Sequence, residues 1–320
     1  MVNPKAATPG GPFHRIQADP VFRFALDRSN TLNRGQAEAR PRHSSRLMLT
    51  WIVVVLGLVV AGALAWGWFE AGWLRKRVLE VELAGVPAEL DGLRIAHLSD
   101  FHLGVPSRGR RAVAHAVRWV AERRPDLVLV TGDLLSRRAG APDLERFLRE
   151  LGPCLVVLGN HDYADSRDPF SQRIDPAVFA ALEGVRVLAD EAVELELRGR
   201  RVQIVGVAPR TYAARRAEPH ALVDPDAALR ILLCHFPGIA RRSPEGAFHL
   251  ILAGHYHAGQ IVVPFPGGAL NVAHPRIRDV RGLYHYGASL LHVSPGLGTT
   301  FVPFRFFARP EVTELVVRSV

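Results

Sequence analysis

Five short apolar runs in this 320-residue chain each stop at side chains that can bind a metal ion. Residues 93–98 run into Ser99, Asp100, Phe101 and His102. Residues 127–130 run into Thr131, Gly132 and Asp133, and residues 155–158 into Gly159, Asn160, His161 and Asp162. Residues 231–234 stop at His235, and residues 250–253 at Gly254, His255, Tyr256 and His257. Carboxylate, imidazole and amide oxygen are donors for Zn, Mn or Fe; the lack of thiolates among them argues against a cysteine-type structural zinc site. Residues i and i+2 at the end of an extended segment point to one side, so Asp100 with His102, and His255 with His257, are each expected to form a pincer. One carboxylate able to bridge, surrounded by His and Asn, fits a pair of ions ~3.5–4 Å apart, as in two-metal phosphatases. A single histidine after a strand is most often a packing or capping residue. Five donor-bearing tips, each directly after a buried run, are not explained that way.

The elements that must position these tips are legible in the same pattern. The runs are short and rich in β-branched residues, as strands buried on both faces are. Between them, residues 110–123 place Val113, Val117 and Val120 on one helical face and stop before Pro125, and residues 143–151 predict a second helix. The series β-α-β-α-β implies parallel neighbours, with the polar tips at the carboxyl edge of a sheet where α/β folds place their ligands. Beyond residue 185 the rhythm changes. Short strands are expected over 185–188, 192–197 and 202–207, with a hairpin turn at Arg198-Gly199-Arg200. Residues 212–226 read as a loop with a short helix. Further strands follow to Val320, with turns at 264–268 and 294–298. Donors at strand ends in both halves predict one domain over residues 78–320, in which two sheets face each other and share a site on one rim.

Residues 47–69 carry no charge over 23 positions, long enough to cross a hydrocarbon core of ~30 Å as a helix. Trp51 lies near one end and Trp66, Trp68 and Trp73 near the other, as interfacial anchors do. The stretch is too long and too far from residue 1 for a signal peptide, so a retained transmembrane helix is expected. Residues 1–46, rich in Pro, Arg, Ala, Gly and Ser, are expected to form a disordered basic tail. The excess of Arg before the span over Arg75, Lys76 and Arg77 after it is modest. It places the catalytic domain outside the cytoplasm, on a single-pass bacterial inner membrane protein. A net charge of +9, from 40 Lys+Arg against 31 Asp+Glu, suits an anionic partner such as a phosphate ester or an acidic membrane surface. Cys154 and Cys234, each in an apolar run, read as buried free thiols.

The order D-x-H, G-D, G-N-H-D, H, G-H-x-H resembles the calcineurin-like metallophosphoesterases. The segments HLSDFHLG (97–104), TGDLL (131–135), LGNHDY (158–163), LLCHFP (232–237) and GHYHAGQI (254–261) carry the resemblance. The tail GLGTTFVPFRFFARPEV (296–312) is similar to that of the bacterial membrane-associated branch of YkuE and YaeI, some members of which are linked to UDP-2,3-diacylglucosamine hydrolysis in lipid A synthesis. The resemblance implies a four-layer α/β/β/α sandwich of two mixed sheets with a dinuclear metal site at the strand ends. It implies that Asp100, His102 and His257 hold one divalent ion, that Asn160, His235 and His255 hold the other, and that Asp133 bridges. A hydroxide shared by the ions would then attack phosphorus in line, cleaving a phosphodiester or pyrophosphate bond. His161 would stabilise the phosphoryl oxygens or protonate the leaving oxygen. Asp162 would orient a histidine or stabilise the turn. Tyr256 and Ala258 stand where the branch usually has Thr and Gly, which puts the choice of substrate in question.

Other residues carry less. His97 reads as structural, and His274, His285 and His292 have no partner spacing. Arg210, Arg305 and Arg309 are candidates to meet substrate phosphate, though solvated Arg is the plainer reading of each. Phe101, Phe236 and Tyr256 are candidates for an apolar wall beside the metals. A non-catalytic scaffold predicts loss of a donor or of His161, and none is lost. A nuclease lacks support from any Arg/Lys stripe with interleaved aromatics, so nucleic acid is not an expected partner.

Overall fold

The computed structural model describes residues 42–163, 168–169 and 171–320. Of the tail expected over residues 1–46, residues 1–41 lie outside the described residues, and residues 42–46 are already helical. The chain divides into two compact units, Met1–Val54 and Val55–Val320. In the first, the described residues are the opening turns of helix α1 (Arg42–Glu70). The helix starts ahead of the apolar stretch because no Gly or Pro interrupts residues 42–56. It is long and apolar enough to cross a membrane, with a mean hydropathy of 2.6 over its best window.

The second unit holds the rest of α1 and two six-stranded sheets. The first sheet contains β1 (Arg75–Leu83), β2 (Arg94–Leu98), β3 (Leu127–Thr131), β4 (Cys154–Val157), β5 (Val185–Val187) and the last strand of the chain, β14 (Glu311–Ser319), in the order β1-β14-β2-β3-β4-β5. β2, β3, β4 and β5 are parallel neighbours, as the crossovers predict, while β14 runs antiparallel to β2 and parallel to β1. Helices α2 (Gly109–Arg123) and α3 (Ala141–Leu151) provide crossovers. α2 buries Ala112, Val113, Ala116, Val117 and Val120, and α3 buries Leu144, Phe147, Leu148 and Leu151, on one face of the sheet.

The second sheet holds β6 (Glu191–Leu197), β7 (Arg200–Val207), β8 (Leu229–Cys234), β9 (Leu250–Ala253), β12 (Gly282–Tyr286) and β13 (Ser289–Val293), in the order β12-β13-β9-β8-β7-β6. A separate hairpin, β10 (Val262–Phe265) and β11 (Gly268–Asn271), precedes β12. Strand alternation builds the layers. Leu127 and Leu129 of β3 enter the core between the sheets with Ile204, Ile231, Leu233 and Leu252, while Val128 and Val130 pack under the helices. Among the described residues, the outer face of the second sheet is covered by short helical pieces, among them α4 (Pro209–Ala213) and the turn Pro237–Arg241. The α/β/β/α sandwich is therefore present, with a thin fourth layer. Both cysteines are free and buried, and burial pushes each thiol up to about 12.

Candidate metal centre

All seven expected donor residues converge where β2, β3, β4, β8 and β9 end. Asp100, His102, Asp133 and His257 form one group of donor atoms and Asp133, His235 and His255 a second, the atoms of each lying within 4.8 Å of one another. In the first, His257 Nε2 is 3.3 Å from Asp100 Oδ1 and 3.0 Å from His102 Nε2, which is 3.5 Å from Asp133 Oδ2. In the second, His235 Nε2 is 3.2 Å from Asp133 Oδ2 and 3.1 Å from His255 Nδ1. Asp133 belongs to both. Asn160 Oδ1 is buried and has no hydrogen-bond partner among the described residues. A buried carbonyl oxygen without a partner is costly, and a cation would satisfy it.

The backbone that presents these donors is not extended. Asp100 (φ 54°), His102 (φ 46°), Asp133 (φ 53°), His255 (φ 75°) and His257 (φ 50°) all sit in the left-handed region. Non-glycine residues there cost on the order of 1–3 kcal/mol each, and such strain collects at functional sites. This corrects the pincer expected from extended geometry. Asp100 and His102 do fall in one group, but His255 and His257 fall in different ones. Two glycines are forced by close approach. A Cβ at Gly159 would strike Asp133 Oδ1, and a Cβ at Gly254 would strike Ser99 Oγ and Asp100 Oδ2. The curl of the first tip also turns Phe101 into the core beneath the helices, so it forms no part of a wall beside the donors.

Backbone and hydroxyl groups hold the donors from behind. His235 Nδ1 lies 2.8 Å from the carbonyl oxygen of Thr131. A carbonyl only accepts, so Nδ1 carries a proton, and Nε2, which faces Asp133, is the nitrogen left for a metal ion. His102 Nδ1 is 2.8 Å from Ser136 Oγ. The amide of His255 donates to Asp100, and that of His161 donates to Asp133 Oδ1 at 2.8 Å. Asp162 accepts from the amides of Leu135 (3.0 Å) and Gly159 (2.9 Å), which gives it the turn-stabilising role. His161 begins the turn His161–Tyr163, packs edge-on to His102 with ring centroids 4.5 Å apart, and has Nδ1 2.6 Å from Ser171 Oγ.

The electrostatics suit a cation. Burial holds His102 and His257 well below the usual imidazole range and His255 at about 3, so these rings stay neutral, the form that binds metal. Burial pushes Asp100 up to about 7, and the nearby Asp133 adds to it. Burial works against charge on Asp133 as well, but His235 and His161 hold its carboxyl well below the ordinary range. The same pairing outweighs burial at His235 and raises it to about 9. Clustered donors that push protons onto a carboxylate and an imidazole are the surroundings a divalent ion relieves. The donor set is all oxygen and nitrogen, and it fits such ions.

A cavity of about 660 Å³ opens onto Asp133, Asn160, His161, His255 and His257. Pro209, Phe236, Tyr256, Ile261, Val272 and Phe301 give it an apolar side, so Phe236 and Tyr256 do line a wall. Arg210 lines it too, with its guanidinium 4.6 Å from the Tyr163 ring centre. His274 is in the same wall, against Tyr256. Arg309 instead packs 3.7 Å over the Trp73 ring, away from the cavity.

Arg305 overturns the reading of a solvated side chain: it is fully buried. It donates to the carbonyls of Gly298, Pro295, Gly296 and Ala308, with Nη2 3.3 Å from His257 Nδ1. Its one sequence signal is its place among aromatics, FVPFRFF. Ser136, Ser171 and the Thr131 carbonyl carry no signal at all. His97 and His292 form a buried pair behind the site, Nδ1 to Nδ1 at 2.7 Å, with His97 Nε2 2.8 Å from Thr131 Oγ1.

Residues 93–259 match the Calcineurin-like phosphoesterase family. The chain belongs to that family, and it is a metal-dependent phosphoric ester hydrolase. It is 27% identical to the uncharacterized metallophosphoesterase YkuE of Bacillus subtilis, over 83% of this chain and 95% of that one. It is 29% identical to the phosphodiesterase YaeI of Escherichia coli, over 78% and 88%. It is 26% identical to the UDP-2,3-diacylglucosamine pyrophosphatase LpxG of Chlamydia muridarum, over 81% and 95%.

Proposed function

We propose that the protein is a membrane-anchored phosphodiesterase or pyrophosphatase whose substrate is a lipid-linked nucleotide of the kind LpxG's name describes. Asp100, His102, Asp133 and His257 would hold one divalent ion, and Asp133, Asn160, His235 and His255 a second. The observation that carries the reading is the pair of donor groups sharing Asp133 at the floor of a cavity with one apolar side. When bound, the ions supply Lewis-acid charge and water activation. The chain's own residues do the rest. Asp133 and Asn160 fix the floor. Ser171 holds the His161 ring through Nδ1, and the ring would pass a proton to a phosphoryl or leaving oxygen. Arg210 is placed on the cavity lining to meet substrate phosphate. The apolar side takes acyl or other apolar substrate parts and keeps water from the reacting phosphate. Helix α1 would cross the bacterial inner membrane once, with residues 78–320 as the catalytic domain outside the cytoplasm.

The test is turnover by the full chain in detergent or lipid after its metals are stripped. Mn, Zn, Fe or Mg is restored singly, with UDP-2,3-diacylglucosamine and a soluble phosphodiester as substrates. Metal-dependent cleavage of the lipid nucleotide supports the reading. Cleavage of the soluble ester alone removes the lipid-linked substrate and keeps the site. Cleavage of neither, in any metal, defeats both.

A further inference from the structure

The hairpin β10–β11 is out of character with the rest of the surface. Residues 260–273 carry no charge in a chain that is 22% charged. Val263, Phe265, Leu270 and Val272 are nevertheless 50%, 54%, 46% and 51% exposed. Val263 pairs with Leu270 and Phe265 with Gly268 across the strands, so the large side chains share one face of the ribbon. An isolated two-stranded ribbon in water is normally blunted with charge, because an exposed apolar ribbon invites association. The neighbouring loop adds Phe301, Val302 and Phe307, which are 49%, 37% and 57% exposed.

This patch is tied by main-chain bonds to the last turns of α1. The Val262 amide donates to the Phe306 carbonyl at 2.9 Å, and the Phe306 amide to the Gln260 carbonyl at 3.0 Å. The Arg305 amide donates to the Gly67 carbonyl at 3.0 Å, and the Ala308 amide to Glu70 Oε1 at 2.8 Å. A Cβ at Gly67 would lie 2.6 Å from a carbon of the Phe306 ring, so glycine lets that ring seat against the helix without shifting. Trp66, Trp68, Phe69 and Trp73 surround this junction and are themselves 39–46% exposed. An aromatic girdle at the end of an apolar helix marks the headgroup level of a bilayer. Exposed Arg276 and Arg278 follow directly on the hairpin, where anionic headgroups would meet them. Ile261, Val272, Phe301 and Val302 belong both to this patch and to the cavity lining.

We propose that the β10–β11 hairpin and the 301–307 loop lie on the leaflet that α1 enters, as a second, in-plane membrane contact that sets the cavity mouth against the lipid. The inference rests on α1 being a membrane span. An amphiphile could then pass from the leaflet to the donor groups along Val272 and Phe301 without its chains crossing water.

The test uses the full chain in nanodiscs of anionic lipid carrying nitroxides at a deep acyl position, to read residue 58, or at a shallow one, to read residues 265 and 301. Single cysteines replace Leu58, Phe265, Phe301 or Glu196 and carry a bimane label. The native thiols are buried and held at about 12, so they stay silent. Leu58→Cys reports the span, and Glu196→Cys, exposed on β6 of the second sheet, reports water. Quenching by lipid is expected at 58, 265 and 301 but not at 196. Quenching at 58 without quenching at 265 and 301 overturns the second contact and leaves the span intact. Quenching at 265 and 301 without 58 removes the span and so overturns the inference, leaving the hairpin as a lone membrane contact. No quenching at any of the three defeats both. Crosslinking of two Phe265→Cys chains without lipid quenching assigns the ribbon to a second copy and overturns the inference.

Discussion

The two sheets meet at one rim but bring different chemistry to it. The first supplies every anionic or amide donor, Asp100, Asp133 and Asn160, with the single imidazole His102. The second supplies His235, His255 and His257 and no carboxylate. Negative charge is thus confined to one wall, where parallel strands and amides fix it, and the opposite wall contributes donors that stay neutral by burial, His235 excepted. Were two divalent ions held there as proposed, the two carboxylates would leave a positive balance, which suits an anionic phosphate. The difference teaches that the first sheet sets the charge of the site and the second completes its geometry.

The largest expected effect comes from removing the one carboxylate that both walls share. Asp133→Asn should lower turnover about 10³-fold or more and deplete metal from both positions, read by elemental analysis beside kinetics. His255→Asn should deplete only one position; loss of both would erase the distinction between the walls. Next, His161→Asn should cut kcat by ~10²–10⁴ while metal content stays at the wild-type level. Ser136→Ala, behind His102, should weaken metal affinity ~10–100-fold with little change in kcat at saturating metal.

Acid should separate the sheets as well. In the second sheet region, burial and then Arg230 bring His249 down to about 4. Its folded value lies below the ordinary 6.5, so its contribution is full above about pH 6.5 and fades as pH falls through about 4. In the first sheet, hydrogen bonds from Arg123 and Arg94 outweigh burial and hold Glu314 at about 2. Its contribution is full above about pH 4.5 and is lost only as pH falls toward 2. Urea titrations between pH 7 and 3 should lose about 1–2 kcal/mol to His249 in the upper window, and His249→Gln should remove that share of the slope while the buried His102, His255 and His257 keep the rest. Glu314→Gln should leave that upper slope in place. The smallest effect is expected at Tyr256→Thr, a change in the cavity wall that should move KM between substrates by less than about tenfold and spare kcat.

The strands that carry the site, their parallel order and the clustering of the candidate donors were legible because buried strands are written as uninterrupted apolar runs and each run ends abruptly in polar residues. The path of the backbone through those donors was not. Nothing in the types Asp and His announces a positive φ, so extended geometry pairs His255 with His257, whereas the structure, like the ligand sets the resemblance implies, puts them in different groups. Phe101 and Arg305 failed for a related reason. Burial of a side chain between two curled tips, or among carbonyls contributed by residues 295–308, is set by tertiary packing and has no local period. The turn role of Asp162 was one of two open readings, and only the partners Leu135 and Gly159 decide it.

The place of β14 bears on how the chain acquires its structure. It lies between β1 and β2, and β1 has no other neighbour in the sheet. Nine residues following the helix therefore wait, unpaired, until residues 311–319 leave the ribosome. During synthesis the edge of the first sheet stays open until the whole of the second sheet has been made, a slow, non-local closure. A chain that stopped before residue 311 would have all its donor residues made and its first sheet unsealed.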